Sequence, residues 1–254
     1  MRRFLERGGL PAVFLLALAL PWLGVWATPA PTPREVARPA SLPQERTGEE
    51  TQVDCPLVAI TFDDGPRRST TSDLLDGLAA RGVQATFFLI GGQIEGCEDL
   101  VERMEAEGHQ IGIHSFDHKA ITALNDLDFA AQVDREREAL EAILGREDFP
   151  LRPPYGEVDA AVEKRAPGPI ILWSVDPEDW RYQDAEKVTE HILDHVRDGS
   201  VILLHDIYPT SVDAAIAVVD ALHREGFLFV TVDELARQRG VELKPGQAYR
   251  SFPP

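Results

Sequence analysis

From residue 57 onward, seven short apolar runs alternate with seven amphipathic stretches, and this repetition limits the possible folds more than any other feature of the chain. The predicted strands are LVAITF (57–62), QATFFLI (84–90), QIGIH (110–114), FPLR (149–152), IILWSV (170–175), VILLH (201–205) and FLFVTV (227–232). The predicted helices cover 70–81, 98–107, 128–144, 158–165, 185–197, 211–225 and 233–239. This alternation predicts an α/β domain with a parallel sheet covered by helices. The pattern alone leaves open whether the sheet closes into a barrel or stays open and doubly wound.

The first 54 residues do not share this pattern, and they predict an export segment followed by a linker. Three arginines precede an uncharged apolar run at 10–27 that ends in Val-Trp-Ala, which is typical of a secretory signal. An uncleaved membrane anchor is the alternative, because 18 apolar residues lie at the lower edge of what spans a bilayer. Residues 28–54 contain five prolines and predict a semi-extended linker. We therefore expect an exported protein of the cell envelope, periplasmic or extracellular, with a single folded domain at 55–254.

The charge of the chain limits its partners, and the positions of its two cysteines bear on disulfide formation. The chain has 43 acidic and 25 basic residues, a net charge of −18, which argues against a nucleic acid or an anionic membrane surface as partner. Cys55 precedes the first strand and Cys97 lies beyond the far end of the second. A six-residue strand separates its ends by about 20 Å, whereas a disulfide requires Cα atoms within about 7 Å. We therefore expect two unpaired cysteines, and we expect a monomer.

Ionisable residues follow the ends of five predicted strands. They are Asp63 and Asp64, His114, Arg152, Asp176 and Asp179, and His205. The carboxyl ends of parallel strands meet at one rim of the sheet, where functional sites of α/β folds gather. The sequence therefore predicts one polar site built from five strands.

The segment ITFDDGP (60–66) places two carboxylates side by side at the end of a buried strand. Asp-Gly is ordinary turn chemistry, but a second adjacent carboxylate would have a raised pKa unless a cation lay nearby. His114 and His118 of HSFDH are four residues apart, so both imidazoles can reach one ion in a tight loop or helical turn. With one of the aspartates they form a set typical of a catalytic metal site. The other aspartate could then act as a base on water.

The same chain offers a comparison for this interpretation. His191 and His195 in HILDH have the same spacing, but they lie within a predicted helix and have no aspartate pair nearby. We interpret them as surface histidines. His109 precedes a strand and His223 lies on a helix, and both are expected to be structural.

Three further segments carry candidate functional residues, and each of these residues could instead have a purely structural role. His205 ends a strand and Leu203 points to the same side, which suits a general acid beside a small apolar pocket, or else a hydrogen-bonded core histidine. Arg152 and Tyr155 stand in a rigid proline-glycine turn that could orient an aspartate or could be only structural. Trp180 lies among carboxylates, as in sugar-binding grooves, or packs in the core.

In this order and spacing, TFDDG, HSFDH, RPPYG, DPEDW and LLHD resemble the five motifs of the polysaccharide deacetylases, the NodB-homology domain of carbohydrate esterase family four. The resemblance extends from about residue 56 to 249. It implies a distorted (β/α)7 barrel with one divalent metal, expected to be zinc, with cobalt, nickel and manganese as alternatives. The segment AVEKRAPGPIILWSV departs from the family pattern and predicts a reduced fourth helix.

The resemblance also implies roles around the metal. Asp64, His114 and His118 match the metal ligands of the family. Asp63 matches the general base, and Arg152 matches the residue that positions this base.

The remaining roles concern the leaving group and the substrate. His205 matches the general acid, and Asp179 matches its partner. Tyr155 lies where a backbone amide stabilises the oxyanion. Trp180 and Leu203 match the groove wall that holds the acetyl methyl group.

The implied activity is hydrolytic removal of N-acetyl groups from N-acetylglucosamine units of a cell-envelope polysaccharide, with release of acetate. Peptidoglycan is the expected substrate and chitooligosaccharides come next. An O-acetyl (acetylxylan) esterase with the same site and a non-catalytic carbohydrate-binding relative are the alternatives.

Overall fold

The computed structural model describes residues 55–254, so the predicted export segment at 1–27 and the predicted linker at 28–54 lie outside the described residues. The strands are β1 Leu57–Asp63, β2 Thr86–Leu89, β3 Gln110–Ile113, β4 Ile170–Ile171, β5 Ser200–His205, β6 Leu228–Phe229 and β7 Ala248–Tyr249. The helices are α1 Arg68–Ala79, α2 Gly91–Ile94, α3 Glu98–Ala106, α4 Asp126–Leu144, α5 Ala160–Arg165, α6 Asp179–Tyr182, α7 Ala185–His195, α8 Pro209–Arg224 and α9 Val232–Gln238. A single 3₁₀ turn covers Pro154–Gly156.

Strand β1 is the centre of the sheet, and its seven residues are all buried. The sheet has the order β3-β2-β1-β5 with parallel pairing, and β6 pairs with the first residues of β1. A strand that is buried on both faces needs a nearly continuous apolar sequence, as LVAITF provides. In this register Asp63 lies opposite both Phe88 of β2 and His205 of β5. The pairing of β1 with β5 therefore brings two predicted site residues together at the same rim.

Between β3 and β5 the sheet is continued only by isolated parallel bridges. Leu151 bridges both Ile113 and Ile170, and Val175 bridges Ile202. The predicted strand at 149–152 is thus reduced to one bridging residue, because prolines on both sides of it lack the N–H groups that a ladder requires. The strand neighbours follow the order of a distorted barrel, although a continuous ladder does not close it within residues 55–254. The predicted α/β class with a parallel sheet is confirmed.

Alternate residues of β1 face two different apolar layers. Val58, Ile60 and Phe62 belong to the large core between the sheet and the outer helices. Leu57 and Ala59 face inward and belong to a second core. Thr61 and Asp63 continue this inward-facing series, because side chains alternate along a strand. The interior is therefore apolar at the amino end of β1 and polar at its carboxyl end.

The end of the chain closes the amino-terminal side of the sheet. Strand β7, which the sequence pattern did not predict, pairs in parallel with β4, and the N–H of Phe252 donates to the carbonyl of Gly199. Gly199 has a φ of 84°, and a Cβ there would lie 2.0 Å from the carbonyl oxygen of Phe252. Only glycine fits this approach. The apolar residues of α9 pack under β1 in the inward-facing core.

Most predicted helices agree with the structure to within about two residues. Helix α4 begins after Asn125, whose side chain accepts the N–H of Asp128, and ends at Gly145 with a φ of 69°. The predicted helix at 158–165 is shortened to the six residues of α5. The sequence pattern did not predict the four-residue helices α2 and α6.

Cys55 and Cys97 are both free thiols. None of the helices that the structure describes combines the length and apolar character needed to span a membrane.

Candidate active site

The turn that follows β1 carries the aspartate pair. Asp63 is the last residue of the strand and is buried, whereas Asp64 has a φ of 73° in the left-handed region. A non-glycine residue in this region costs of order 1–3 kcal/mol, which the surrounding structure must offset. The change of backbone direction lets the two carboxylates face different partners.

Asp64, His114 and His118 form a compact cluster of possible metal ligands. The Nε2 atoms of His114 and His118 lie 3.6 Å and 3.3 Å from Oδ1 of Asp64. The three ligand atoms all lie within 4.8 Å of one another. Within residues 55–254, Oδ1 of Asp64 is buried and has no hydrogen-bond partner. A buried carboxylate oxygen beside two imidazole nitrogens fits a divalent cation.

The hydrogen bond of His114 occupies Nδ1 and leaves Nε2 available for a metal. Its Nδ1 lies 2.6 Å from the carbonyl oxygen of Arg152, which can only accept, so Nδ1 carries the proton and donates. Nε2 therefore presents a lone pair to the cluster. Burial lowers the pKa of His114, which favours the neutral form that binds metals.

A strained loop between β3 and α4 presents the two histidines. Ser115 and His118 have φ angles of 67° and 54°, so HSFDH forms a tight loop and not a helical turn. The ring of Tyr155 packs edge-on against His118, with centroids 4.8 Å apart. Tyr155 itself has a φ of 62° and is exposed at the rim.

Arg152 binds the carboxylate of Asp63 and fixes its orientation. Its guanidinium is completely buried, and Nη1 donates at 2.7 Å to both Oδ1 of Asp63 and Oγ1 of Thr61. Nε and Nη2 donate to the carbonyls of Ile171 and Leu172 at 3.0 and 3.2 Å. With four acceptors around it, the guanidinium fixes the orientation of Asp63. The other carboxylate oxygen, Oδ2, lies 3.6 Å from Nε2 of His114.

His205, which is partly buried, and Asp179, which is fully buried, form a second pair at the cavity. Nδ1 of His205 donates to Oδ1 of Asp179 at 2.8 Å, and the backbone N–H of His205 donates to Oδ2, also at 2.8 Å. Ser211 donates its hydroxyl to the same Oδ2 at 2.5 Å. Burial alone would lower the pKa of His205, but the hydrogen bond and charge of Asp179 raise it to about 9. His205 is therefore protonated at neutral pH.

These groups surround one cavity of about 400 Å³. Its lining is Asp63, Asp64, His114, His118, Tyr155, Trp173, Asp176, Trp180, Leu203, His205 and Tyr208. Eight of the ten predicted site residues are in this lining, and Arg152 and Asp179 stand directly behind it. Sequence reasoning missed Tyr208 and Ser211. Tyr208 follows His205 by three residues in HDIY, which could have suggested it, whereas no pattern indicated Ser211.

The other histidines lie apart from this cavity. His191 and His195 are on α7, where their rings stack with centroids 4.2 Å apart. His109 is buried, and its Nδ1 accepts the N–H of Ala85 at 3.0 Å. His223 is on α8 and packs edge-on against Phe229.

Comparison with known proteins identifies relatives of this chain. Residues 50–167 match the family model for polysaccharide deacetylases. The chain is 39% identical over 192 residues to the peptidoglycan-N-acetylglucosamine deacetylase PgdA of Listeria monocytogenes, and the match covers 76% of this chain and 41% of the Listeria protein. The chain thus spans about two fifths of the length of that relative.

Solved structures resemble this chain over most of its length. A T48 deacetylase with substrate superposes with a TM-score of 0.74 at 41% identity, covering 78% of this chain and 98% of the other. A family 4 acetyl xylan esterase from Clostridium thermocellum in complex with a cobalt ion has a TM-score of 0.74 at 29% identity, covering 78% of this chain and 100% of the other.

Proposed function

The chain belongs to the polysaccharide deacetylase family, and we propose that it removes N-acetyl groups from N-acetylglucosamine units of a cell-envelope polysaccharide, releasing acetate. Peptidoglycan is the proposed substrate, by analogy with the Listeria relative. The observation that carries the proposal is that a set of metal ligands, an oriented carboxylate and a protonated histidine all face one cavity. An amide hydrolase needs these three functions together.

The proposed metal ligands are Asp64, His114 and His118, and zinc is the proposed metal. A divalent cation at this position supplies a Lewis acid that polarises the acetyl carbonyl and makes water more acidic. The cobalt ion in the related acetyl xylan esterase supports a divalent metal.

Asp63 is the proposed general base. Arg152 holds one carboxylate oxygen at 2.7 Å, so the other is directed toward the cluster, 3.6 Å from Nε2 of His114. A water molecule between the cluster and the acetyl carbonyl would lose its proton to this oxygen as it attacks. Because Arg152 is itself fixed by three further acceptors, Asp63 needs little reorganisation during the reaction.

His205 is the proposed general acid. It is already protonated near neutral pH, and Asp179 holds its Nδ1, so Nε2 can give a proton to the departing amine nitrogen. The C–N bond breaks as this proton is transferred, and water supplies the OH of the acetate. The sugar keeps a free amine.

The remaining lining residues are proposed to bind the substrate. Leu203 supplies an apolar surface of the size of an acetyl methyl group, and the half-exposed Trp180 ring can stack on a sugar face. The backbone amide of Tyr155 is proposed to donate to the developing oxyanion. We also propose an exported, monomeric protein with an N-terminal signal or anchor at 1–27, a linker at 28–54 and the catalytic domain at 55–254.

An O-acetyl esterase is the second candidate, because a related solved structure at 29% identity is an acetyl xylan esterase. An alcohol is a better leaving group than an amine, so an esterase depends less on a strong general acid. Both substrates need the same metal, base and acid, so a direct assay on amide and ester substrates has to decide between them.

Acetate release tests this proposal. The protein is stripped of metal, reconstituted with zinc or cobalt, and offered N-acetylglucosamine oligomers, peptidoglycan and acetylxylan in parallel. Metal-dependent release from an N-acetyl substrate is the expected result. Release only from acetylxylan would keep the site and change the substrate, whereas metal binding without any release would favour a carbohydrate-binding protein.

A further inference from the structure

Glu136 is an unusual residue near the loop at 114–118 that carries His114 and His118, here called the histidine loop. It lies on α4, is completely buried, and forms no ion pair with any cation among residues 55–254. Its neighbour Arg135 packs over the ring of Phe116, and Arg137 pairs with other glutamates. Burial raises the pKa of Glu136 well above its usual range. A buried carboxyl group without a counterion is costly, so its contacts require a physical explanation.

The contacts of Glu136 are with the backbone that carries the metal ligands. Its Oε1 accepts the N–H of His114 at 3.2 Å, and the same N–H also donates to the carbonyl of Leu89 at 2.9 Å. Ser115 has a φ of 67°, and its backbone therefore needs support to remain in the left-handed region.

Gln132, one helical turn earlier on the same face of α4, holds the next two residues of the loop. The backbone carbonyl of Gln132 accepts the N–H of Phe116 at 2.8 Å. Its side-chain Oε1 accepts the N–H of Asp117 at 2.9 Å, and its Nε2 donates to the carboxylate of Asp117 at 3.0 Å. Glu136 and Gln132 therefore accept the N–H groups of residues 114, 116 and 117.

The carbonyl groups of the same loop face the opposite direction and are held by α2. The N–H groups of Gly91 and Gly92 donate to the carbonyls of Ser115 and Phe116 at 3.3 and 2.8 Å. A Cβ on Gly91 would lie 2.6 Å from the ring of Phe116 and 3.1 Å from Glu136, so the absence of a side chain permits this packing. The loop is thus fixed between two helices.

We propose that Glu136 and Gln132 are positioning residues that hold the 114–117 loop in the strained conformation that directs His114 and His118 toward Asp64. They act through the backbone and do not touch the metal or the substrate. Partners that orient metal ligands typically contribute 10–100-fold in metal affinity. This inference rests on the proposed function, because it requires the cluster to bind a metal.

Cobalt binding by the full-length, metal-stripped chain tests the inference without using activity. Glu136→Met removes the acceptor at similar volume, and we expect it to raise the Kd for Co²⁺ by about tenfold or more. Glu136→Gln keeps an acceptor oxygen at the same place and should restore the Kd to within about threefold of the parent. Thermal unfolding of the metal-free proteins is measured in parallel.

Leu140→Ala is the matched control, since Leu140 is buried on the same helix one turn further on and has no polar contact with the loop. It should lower the Tm by creating a cavity but leave the Kd for Co²⁺ within about threefold. Should Glu136→Met not fold, Gln132→Met and Glu136→Gln decide the question, and Gln132→Met is expected to raise the Kd.

The outcomes are distinguishable. A parent protein that does not bind Co²⁺ overturns both the metal site and this inference. A parent that binds Co²⁺ while Glu136→Met or Gln132→Met binds it equally well overturns only the positioning role. An equal rise in Kd for Leu140→Ala overturns it too, because general loosening of α4 would then explain the result.

Discussion

Two pairs of histidines in this chain have the same spacing but very different surroundings. His114 and His118 stand in a loop at the carboxyl end of β3, with Asp64 3.3–3.6 Å away. His191 and His195 lie on the surface of α7, and their rings stack on each other at 4.2 Å. Nδ1 of His114 donates to the carbonyl of Arg152, 38 residues away in the sequence, whereas Nδ1 of His195 contacts the carbonyl of His191 one turn earlier.

Spacing alone therefore supplies proximity but not a site. The loop histidines gain a buried carboxylate, a fixed tautomer and a backbone held by two neighbouring helices. The helical pair has only the local geometry that any i, i+4 pair has. We therefore expect large effects of substitutions around the first pair and almost none at the second.

The largest effect is expected for Asp64→Ala. Removing the carboxylate takes one of three ligands and should abolish measurable metal binding at micromolar concentrations, with a loss of activity of about 10³-fold or more, because Lewis-acid stabilisation contributes several kcal/mol. Calorimetric zinc titration and acetate release check the two effects. Retained metal with lost activity would remove Asp64 from the ligand set.

Asp63→Asn is expected to separate binding from turnover. The amide keeps the shape of the side chain and a partner for Arg152 but cannot accept a proton, so kcat should fall by about 10²–10⁴-fold while zinc affinity changes little. Single-turnover acetate release by the zinc-loaded variant measures this. Turnover equal to that of the parent would show that Asp63 is not the base.

Asp179→Asn should move the alkaline limb of the pH–activity profile. The charge and hydrogen bond of Asp179 raise the pKa of His205 to about 9, so the proposed general acid is lost above that pH. Without this charge the pKa falls toward its ordinary value near 6.5, and activity should decline from a correspondingly lower pH. An unchanged alkaline limb would mean that another group controls it.

The pair of His205 and Asp179 should also make the stability of the folded protein depend on pH. The folded pKa of His205 lies above its unfolded value, so its contribution is fully present below pH 6.5 and is lost as pH rises through 9. This difference corresponds to about 3 kcal/mol at most. The Tm difference between the parent and Asp179→Asn, measured from pH 6 to 10, should therefore shrink as the pH increases.

The sequence predicted the parts of this molecule that depend on local pattern. The apolar runs gave β1 and β5 to within a residue, and their parallel register brings Asp63 beside His205. The alternation of strands and helices therefore indicated the α/β class and the rim where polar residues meet. The five ordered motifs indicated the family, which the comparisons confirm.

The parts that the sequence could not predict depend on contacts between distant segments. Helix α2 has four residues, and strand β7 has two, which is too short for a periodic signal. Glu136 stands in the highly charged stretch DREREALE, which reads as an exposed helix face, yet it is buried against the histidine loop. Ser211 has no local feature that distinguishes it from any other serine in the first turn of a helix. Only the folded chain shows that its hydroxyl reaches Asp179.

The smallest effect is expected for the double variant His191→Ala/His195→Ala. His191 is partly exposed, His195 is exposed, and neither lines the cavity, so zinc affinity and kcat should equal those of the parent. The free energy of unfolding should change by no more than about 0.5 kcal/mol, as for most surface substitutions. Zinc titration, acetate release and denaturant unfolding of the double variant measure these quantities beside Asp64→Ala. A loss of metal affinity here would mean that spacing by itself is enough to bind the ion, and the contrast between the two pairs would fail.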